Sequence, residues 1–495
     1  MRLIRVITIA LILLFIGVRG FCQNDEKINY KIVDSVTYAD YTSGKWEKVV
    51  INGEQAIDHK IDYFYLRMRM GIANFNLGNY YNAASDFEKA LKFNSTDQTA
   101  EVYLYDTYNI LGKNTKANKL SSDFSAKTLT LIQDKRKFLE AVYAGGGALF
   151  SNNYKENSGY QLRNNGDTLA GYKTLNGNKV ALFTGLSLSI SPSLSLYVGW
   201  SLLDIQKRIT FQYSEARSKL DSVWFLPHGF RKFYSIQNKF HQQSFDEKIV
   251  QNELYLNAKL QLEAGWAITG FSNMIFVNSV GYDHVVANGI GMDTSLFISG
   301  NVVNYFTYTY SQNLFIKKET SFIDYIVGVN LEKDINIATF NLFGSYSSLN
   351  ELNQMQVGVS SIYYLNKAST AYGSTGIMWF NQKVQQNDFE NRIIFNQKIG
   401  SKIYKGLWGE ASFLYGNLNN ANINNGLLPY NQADKTNFKG EITARLTTNK
   451  HIELNLSYGY VSYEGVFYIY QNLNNTSNTF DYQSQNLIGR IVWKL

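Results

Sequence analysis

Phe438-Lys439-Gly440-Glu441-Ile442-Thr443-Ala444-Arg445-Leu446 alternates without a break. Phe438, Gly440, Ile442, Ala444 and Leu446 are apolar or small, and the residues between them are polar. Successive side chains of a strand point to opposite faces, so this period of two makes a ribbon with one greasy and one wet face. Other segments repeat it. Leu254, Leu256, Ala258, Leu260 and Leu262 interleave with Glu253, Tyr255, Asn257, Lys259 and Gln261. Ile452, Leu454, Leu456, Tyr458 and Tyr460 interleave with His451, Glu453, Asn455 and Ser457. At the end of the chain Leu487, Gly489, Ile491, Trp493 and Leu495 interleave with Ile488, Arg490, Val492 and Lys494. From about residue 141 onward the chain reads as strands.

Such ribbons serve either a soluble sandwich or a barrel whose apolar face meets lipid. Strand length and loop asymmetry favour the barrel. Segments 178–190, 193–213, 249–262 and 403–417 exceed the five or six residues usual in soluble sheets. Short turns at 191–193, 263–265, 332–334, 366–368, 400–402 and 448–450 alternate with long polar connections near 151–177, 214–247, 418–435 and 464–482. Outer-membrane barrels have short periplasmic turns and long outer loops. The segments between turns give fourteen strands, and an even number brings the last beside the first. Sixteen is an alternative if 281–319, read with an outer hairpin at Ser295 to Tyr310, supplies two more strands, and twelve is the other alternative. Trp200, Trp266, Trp379, Trp408 and Trp493 are expected in girdles at the lipid boundaries.

Upstream of the strands the period changes. Gly44, Gly78 and Gly112 are 34 residues apart, which signals stacked helical pairs. The unit Phe64 to Asp97, with Gly71, Ala73, Phe75, Gly78, Tyr80, Ala83, Phe87, Ala90 and Leu91, resembles a tetratricopeptide (TPR) repeat. Weaker units flank it, and the proline usual near the end of such repeats is replaced here by Ser95. The resemblance covers roughly 30 to 122 and implies a concave face carrying Tyr65, Asn76, Asp106 and Asn109, able to hold a peptide or a partner domain. Those positions read equally well as solvated. Ser125 to Ala141 reads as one further helix leading into the strands. The architecture as a whole is similar to outer-membrane proteins that join TPR repeats to a C-terminal barrel, among them the YaiO type.

Met1 to Cys22 opens with Arg2 and Arg5, runs apolar from Val6 to Val18 and ends in small Gly20, the layout of a secretory signal. Cleavage after Cys22 is expected. No later run approaches the roughly 18 apolar residues that a spanning helix needs. The expected fold is therefore α+β and multidomain: a signal peptide over 1–22, an N-terminal all-α, TPR-like helical stack over 23–140 in the periplasm, and a transmembrane antiparallel β-barrel of fourteen strands over 141–495.

Composition narrows the chemistry. One Cys and five His in 495 residues argue against a disulfide framework and a cysteine-ligated metal site, and leave little for a His-based centre. A net charge of +7 without a Lys/Arg block argues against nucleic acid. No cofactor, metal or enzymatic activity is expected. On the wet face, Glu410, Lys439, Glu441, Arg445, Glu453 and Arg490 form a ladder of mixed sign that reads either as a salt-bridged hydrated filling or as the lining of a selective conduit. His451 with Glu453 and Ser457 is the sole hint of hydrolase chemistry. The expected function is an anchor in outer-membrane lipid that presents the helical stack to a periplasmic protein or peptide, as an accessory of envelope export or assembly. The alternative is a solute-conducting outer-membrane pore.

Overall fold

The computed structural model describes residues 29–132, 137–159, 161, 163–164, 167–168, 170–226, 229–296, 303–335, 337–365, 370–385, 388–432, 434–449, 451–470 and 478–495. The expected signal segment lies outside them.

Six helices form three antiparallel pairs: α1 (Tyr30–Thr42) with α2 (Trp46–Asp58), α3 (Phe64–Asn76) with α4 (Tyr80–Phe93), and α5 (Gln98–Ile110) with α6 (Asn114–Ser122). The paired helices start at intervals of 34 residues, as the glycine spacing predicts. Gly44, Gly78 and Gly112 all take positive φ, between 64° and 77°. At the central one, the N–H of Gly78 donates to Phe75 O at 3.0 Å and that of Asn79 to Asn74 O at 2.8 Å, so the left-handed residue caps carbonyls the helix leaves open. Gly71 lets α3 and α4 approach: a Cβ there would stand 2.6 Å from the Phe87 ring. Beneath that contact Arg67 is buried and donates to Asp86 at 2.8 Å and Asp62 at 2.7 Å, while Asn74 donates to Asp86 at 3.0 Å. The seventh helix, α7 (Ala126–Leu131), is shorter than the expected 125–141, and by Leu139 the chain is already a strand.

Fourteen antiparallel strands close into a barrel: β1 (Leu139–Ser151), β2 (Gly171–Ser191), β3 (Leu194–Leu226), β4 (Gly229–Gln261), β5 (Trp266–Leu296), β6 (Val303–Ile335), β7 (Ala338–Leu349), β8 (Leu352–Tyr364), β9 (Ala371–Gln385), β10 (Asp388–Tyr404), β11 (Leu407–Tyr415), β12 (Lys435–Thr447), β13 (Ile452–Ile469) and β14 (Asn478–Lys494). Closure runs along β1 and β14 from Ala141↔Lys494 to Ser151↔Ser484, so no edge is left open. Register keeps the predicted faces: Ile442, Leu446, Leu456, Leu487 and Ile491 are exposed on the outside, and Glu441, Arg445, Asn455 and Val492 point in.

The connection 214–247, read as a loop, is in fact strand, and the outer hairpin expected at Ser295 to Tyr310 is longer than its expected bounds. β3 to β6 run 31 to 33 residues each, several times the 9 to 11 that cross a bilayer, so 214–247 and 281–319 are hairpins rising beyond the short barrel strands. An aromatic cluster ties them together, with Phe245 stacked on Tyr282 at 4.4 Å and Phe211 against Phe315 at 5.3 Å. Where β1 and β14 stop short, β13 and β2 pair directly from Phe467↔Lys173 to Ile469↔Gly171.

The helices sit on the short-turn end. Lys113 and Lys116 reach Asp334, near the β6–β7 turn, at 3.1 and 2.5 Å. Asn118 donates to Glu140 at 3.1 Å, and Tyr81 lies against Tyr364 with ring centroids 4.3 Å apart. Burial pulls the Lys113 ammonium below its usual range, and neighbouring Lys116 adds to that pull against the attraction of Asp334.

Candidate functional site

The long connection 416–434 is not an outer loop: it folds into the barrel. Leu418 and Ala421 are fully buried and Ile423 nearly so, packed on Met378, Phe380 and Ile394 of β9 and β10. A two-residue ladder, Asn422↔Pro429 and Ile423↔Leu428, turns the segment back on itself. Asn424, Asn425 and Gly426 at the tip all have positive φ, a conformation that Asn and Gly accept at least cost. The same asparagines that look like solvated loop chemistry in the sequence thus make a tight bend inside the lumen.

Neutral amides hold this plug on the near side. Asn422 and Gln356 exchange two hydrogen bonds at 2.7 and 3.2 Å. Asn422 also donates to Ser345 at 3.1 Å, Asn420 to Gln382 at 2.9 Å, and Asn350 to Asn420 at 2.7 Å. The tip reaches β4 and β5, on the opposite wall. There the Tyr255 hydroxyl donates to Asn425 O at 3.0 Å and Asn273 Nδ2 to Gly426 O at 3.0 Å. Gly426 approaches Phe271 and Ile326 so closely that a Cβ would lie 3.1 Å from each.

A second insertion comes from the 151–177 connection. The short helix Asn153–Asn157 enters beside β2 and β14, with Asn153 and Asn157 buried. Asn157 donates to Asp481 O at 3.2 Å, the buried Lys173 ammonium donates to Asn157 O, and the Tyr154 ring joins Leu175, Val461, Tyr463, Phe480 and Tyr482. Asp434, where the plug leaves the lumen, accepts from Tyr482 at 2.7 Å and Asn176 at 2.6 Å.

All six expected lumen charges lie on the inward parity of their strands. Glu410 accepts from Lys398 at 2.6 Å, Tyr372 at 2.7 Å and Arg445 at 3.3 Å. Lys439 meets Glu441 at 3.3 Å, and Glu453 meets Lys494 at 3.3 Å. Arg490 is exposed to the lumen. Trp408, expected in a girdle, shares the inward face with Glu410, and the Arg445 guanidinium lies over its ring at 5.4 Å. Trp200, Trp266, Trp379 and Trp493 are exposed on the outside. His451 is committed to Lys494 O at 2.9 Å and Ser457 to Thr443 at 2.7 Å, so no nucleophile and base are paired there. On the helices, Tyr65 and Asn76 are exposed, Asn76 donating to its own helix at Ile72 O, while Asp106 and Asn109 are half-buried.

Sequence reasoning missed Gln356, Tyr255 and Asn273. Nothing along one strand marks a polar inward residue as the partner of a loop some 66 to 170 residues away. It also missed Arg392, whose guanidinium carbon lies 3.8 Å from the centre of the Phe380 ring and which donates through Nη1 to Glu390 at 3.0 Å.

No protein-family model matches the chain, and no curated protein does. Among solved structures, the toluene transporter TodX of P. putida is similar at 8% identity with a TM-score of 0.37, over 77% of this chain and 94% of that one. A Pseudomonas aeruginosa FadL homologue gives 8% and 0.37 over 80% and 93%, and a bacterial polysaccharide outer membrane secretin 4% and 0.32 over 73% and 100%. Likenesses at this level do not separate one barrel family from another.

Proposed function

We propose that the chain is an outer-membrane barrel working as a gated, substrate-selective conduit, with the 416–434 segment as its gate. The outer surface supports the membrane reading. Ile323, Val329, Val359, Ile377, Ile442 and Leu456 are half or more exposed on a closed sheet, and water is a poor cover for so large an apolar band. One observation supports the gate: the body of the plug is held by apolar packing and side-chain amides, while its tip, which touches Phe271 and Ile326, makes two hydrogen bonds through main-chain carbonyls. Each such bond contributes about 0.5–1.5 kcal/mol net, and water can replace it in a polar lumen. A tip that swings away opens a path between the β4–β6 wall and the paired charges of β11–β14. This reverses the order drawn from sequence, which put the anchor first and the conduit second.

The test is electrical. In planar bilayers the full chain is expected to be closed or to open briefly. A variant with 420–430 replaced by a short Gly/Ser linker is expected to show long-lived openings, and a deletion variant that is folded yet silent contradicts the gate.

A second reading concerns the helices. The 34-residue pairing and its left-handed caps support a TPR-like stack, and the ion pairs at Asp334 support its being held at the periplasmic mouth. There it would present Tyr65, Asn76, Asp106 and Asn109 to a periplasmic protein or peptide. Photo-crosslinking from position 65 in intact cells is expected to give one discrete adduct, and a diffuse smear or none counts against this reading.

A further inference from the structure

We propose that Arg392 is an oxyanion-binding residue at the outer side of the plug, taking the carboxylate or phosphate group of a solute. The proposal rests on the conduit reading and names the class of its substrate. Arg392 is in β10, five residues in from the outer end of that strand, on the inward parity it shares with Ile394. Its side chain is only 9% exposed. A guanidinium has five N–H donors in a planar fork, and burying them without acceptors is costly. Here one direction is satisfied: Nη1 donates to Glu390. Nε and Nη2, the edge whose two parallel donors match a carboxylate or phosphate, are buried with no hydrogen-bond partner among the described residues.

The surroundings hold that edge in place. Phe380, fully buried and directly across the ladder from Arg392, supports the guanidinium plane from below. Glu390 is itself fixed by Asn417 at 3.2 Å, at the base of the plug. Asn419, two residues further along the plug, has its side-chain oxygen buried and unpartnered as well. A ligand bringing two acceptor oxygens satisfies the arginine edge in bidentate fashion. The anion takes the Nε/Nη2 edge and leaves the Nη1–Glu390 and Asn417–Glu390 contacts in place, so the site sits beside the base of the plug without displacing it.

The experiment uses the purified full chain in detergent, with sodium benzoate and inorganic phosphate as probes, titrated calorimetrically against wild type, Arg392→Lys and Arg392→Gln. Circular dichroism and thermal melting verify that each variant is folded. Wild type is expected to bind at least one probe. Arg392→Lys, which keeps the charge and loses the fork, is expected to bind about tenfold more weakly, and Arg392→Gln not measurably. Equal binding by wild type and folded Arg392→Gln overturns the proposal, and so does absence of binding of both probes at millimolar concentration. The conduit is judged separately, by bilayer conductance without probe. Arg392-dependent binding to a chain that never conducts keeps the anion site and rejects the conduit, whereas conductance with Arg392-independent binding does the reverse.

Discussion

Arg67 shows how far a residue-level reading of the sequence reaches. Charged residues at helical spacing read as a solvated face, yet Arg67 is 3% exposed and bridges Asp62 and Asp86 beneath the Gly71–Phe87 contact. Removing one partner strands a buried charge. Arg67→Ala is expected to destabilise the α3–α4 pair by about 3–5 kcal/mol, read as lost hydrogen-exchange protection of those helices in the full chain. The double replacement Arg67→Met with Asp86→Leu is expected to recover most of that loss, because it leaves no orphan. If the single and double variants exchange alike, the pair is not the source. Among barrel residues the inward parity of Glu410, Lys439, Glu441, Arg445, Glu453 and Arg490 was legible because period 2 is local. Trp408 obeys the same rule, standing two residues from Glu410 on the inward face rather than in a girdle.

At the scale of elements, alternation is a good guide only where one face meets lipid. Residues 214–247 and 281–319 continue as strands beyond the lengths that cross a bilayer, and one face of their described part packs in an aromatic cluster rather than against lipid, so the lipid-facing signature stops while the strands go on. The plug was illegible for a related reason. Asn424-Asn425-Gly426 makes the same left-handed bend whether water or a barrel wall surrounds it, and partners such as Gln356 and Asn273 are distant in sequence. The tip contacts make a specific prediction. Tyr255→Phe combined with Asn273→Ala removes both donors to the tip and leaves its carbonyls to water, at a cost of about 1–3 kcal/mol in latch strength. That is a rise of roughly five- to 150-fold in the open-to-closed ratio, measurable as open probability in bilayers. An unchanged open probability would mean that the base of the plug, not its tip, controls the lumen.

For the whole molecule, closure, strand number and the order of helices before barrel follow from patterns that extend along the chain: a period of 34 followed by a period of two. What the chain buries inside follows from none of them. The structure joins three devices in series: projecting hairpins, a lumen crossed by a hydrogen-bonded segment, and a helical stack fixed to the opposite mouth through Lys113, Lys116 and Asp334. The account stands on the apolar band facing lipid and the charged face lining the lumen. The tryptophans test this directly, since Trp379 lies on the outer face and Trp408 on the inner. Variants retaining only Trp379 or only Trp408 are reconstituted into vesicles with brominated acyl chains, which quench indoles they touch. Strong quenching of Trp379 with little of Trp408 is the predicted result. Equal quenching of the two, or none of Trp379 in a folded and inserted protein, would contradict it.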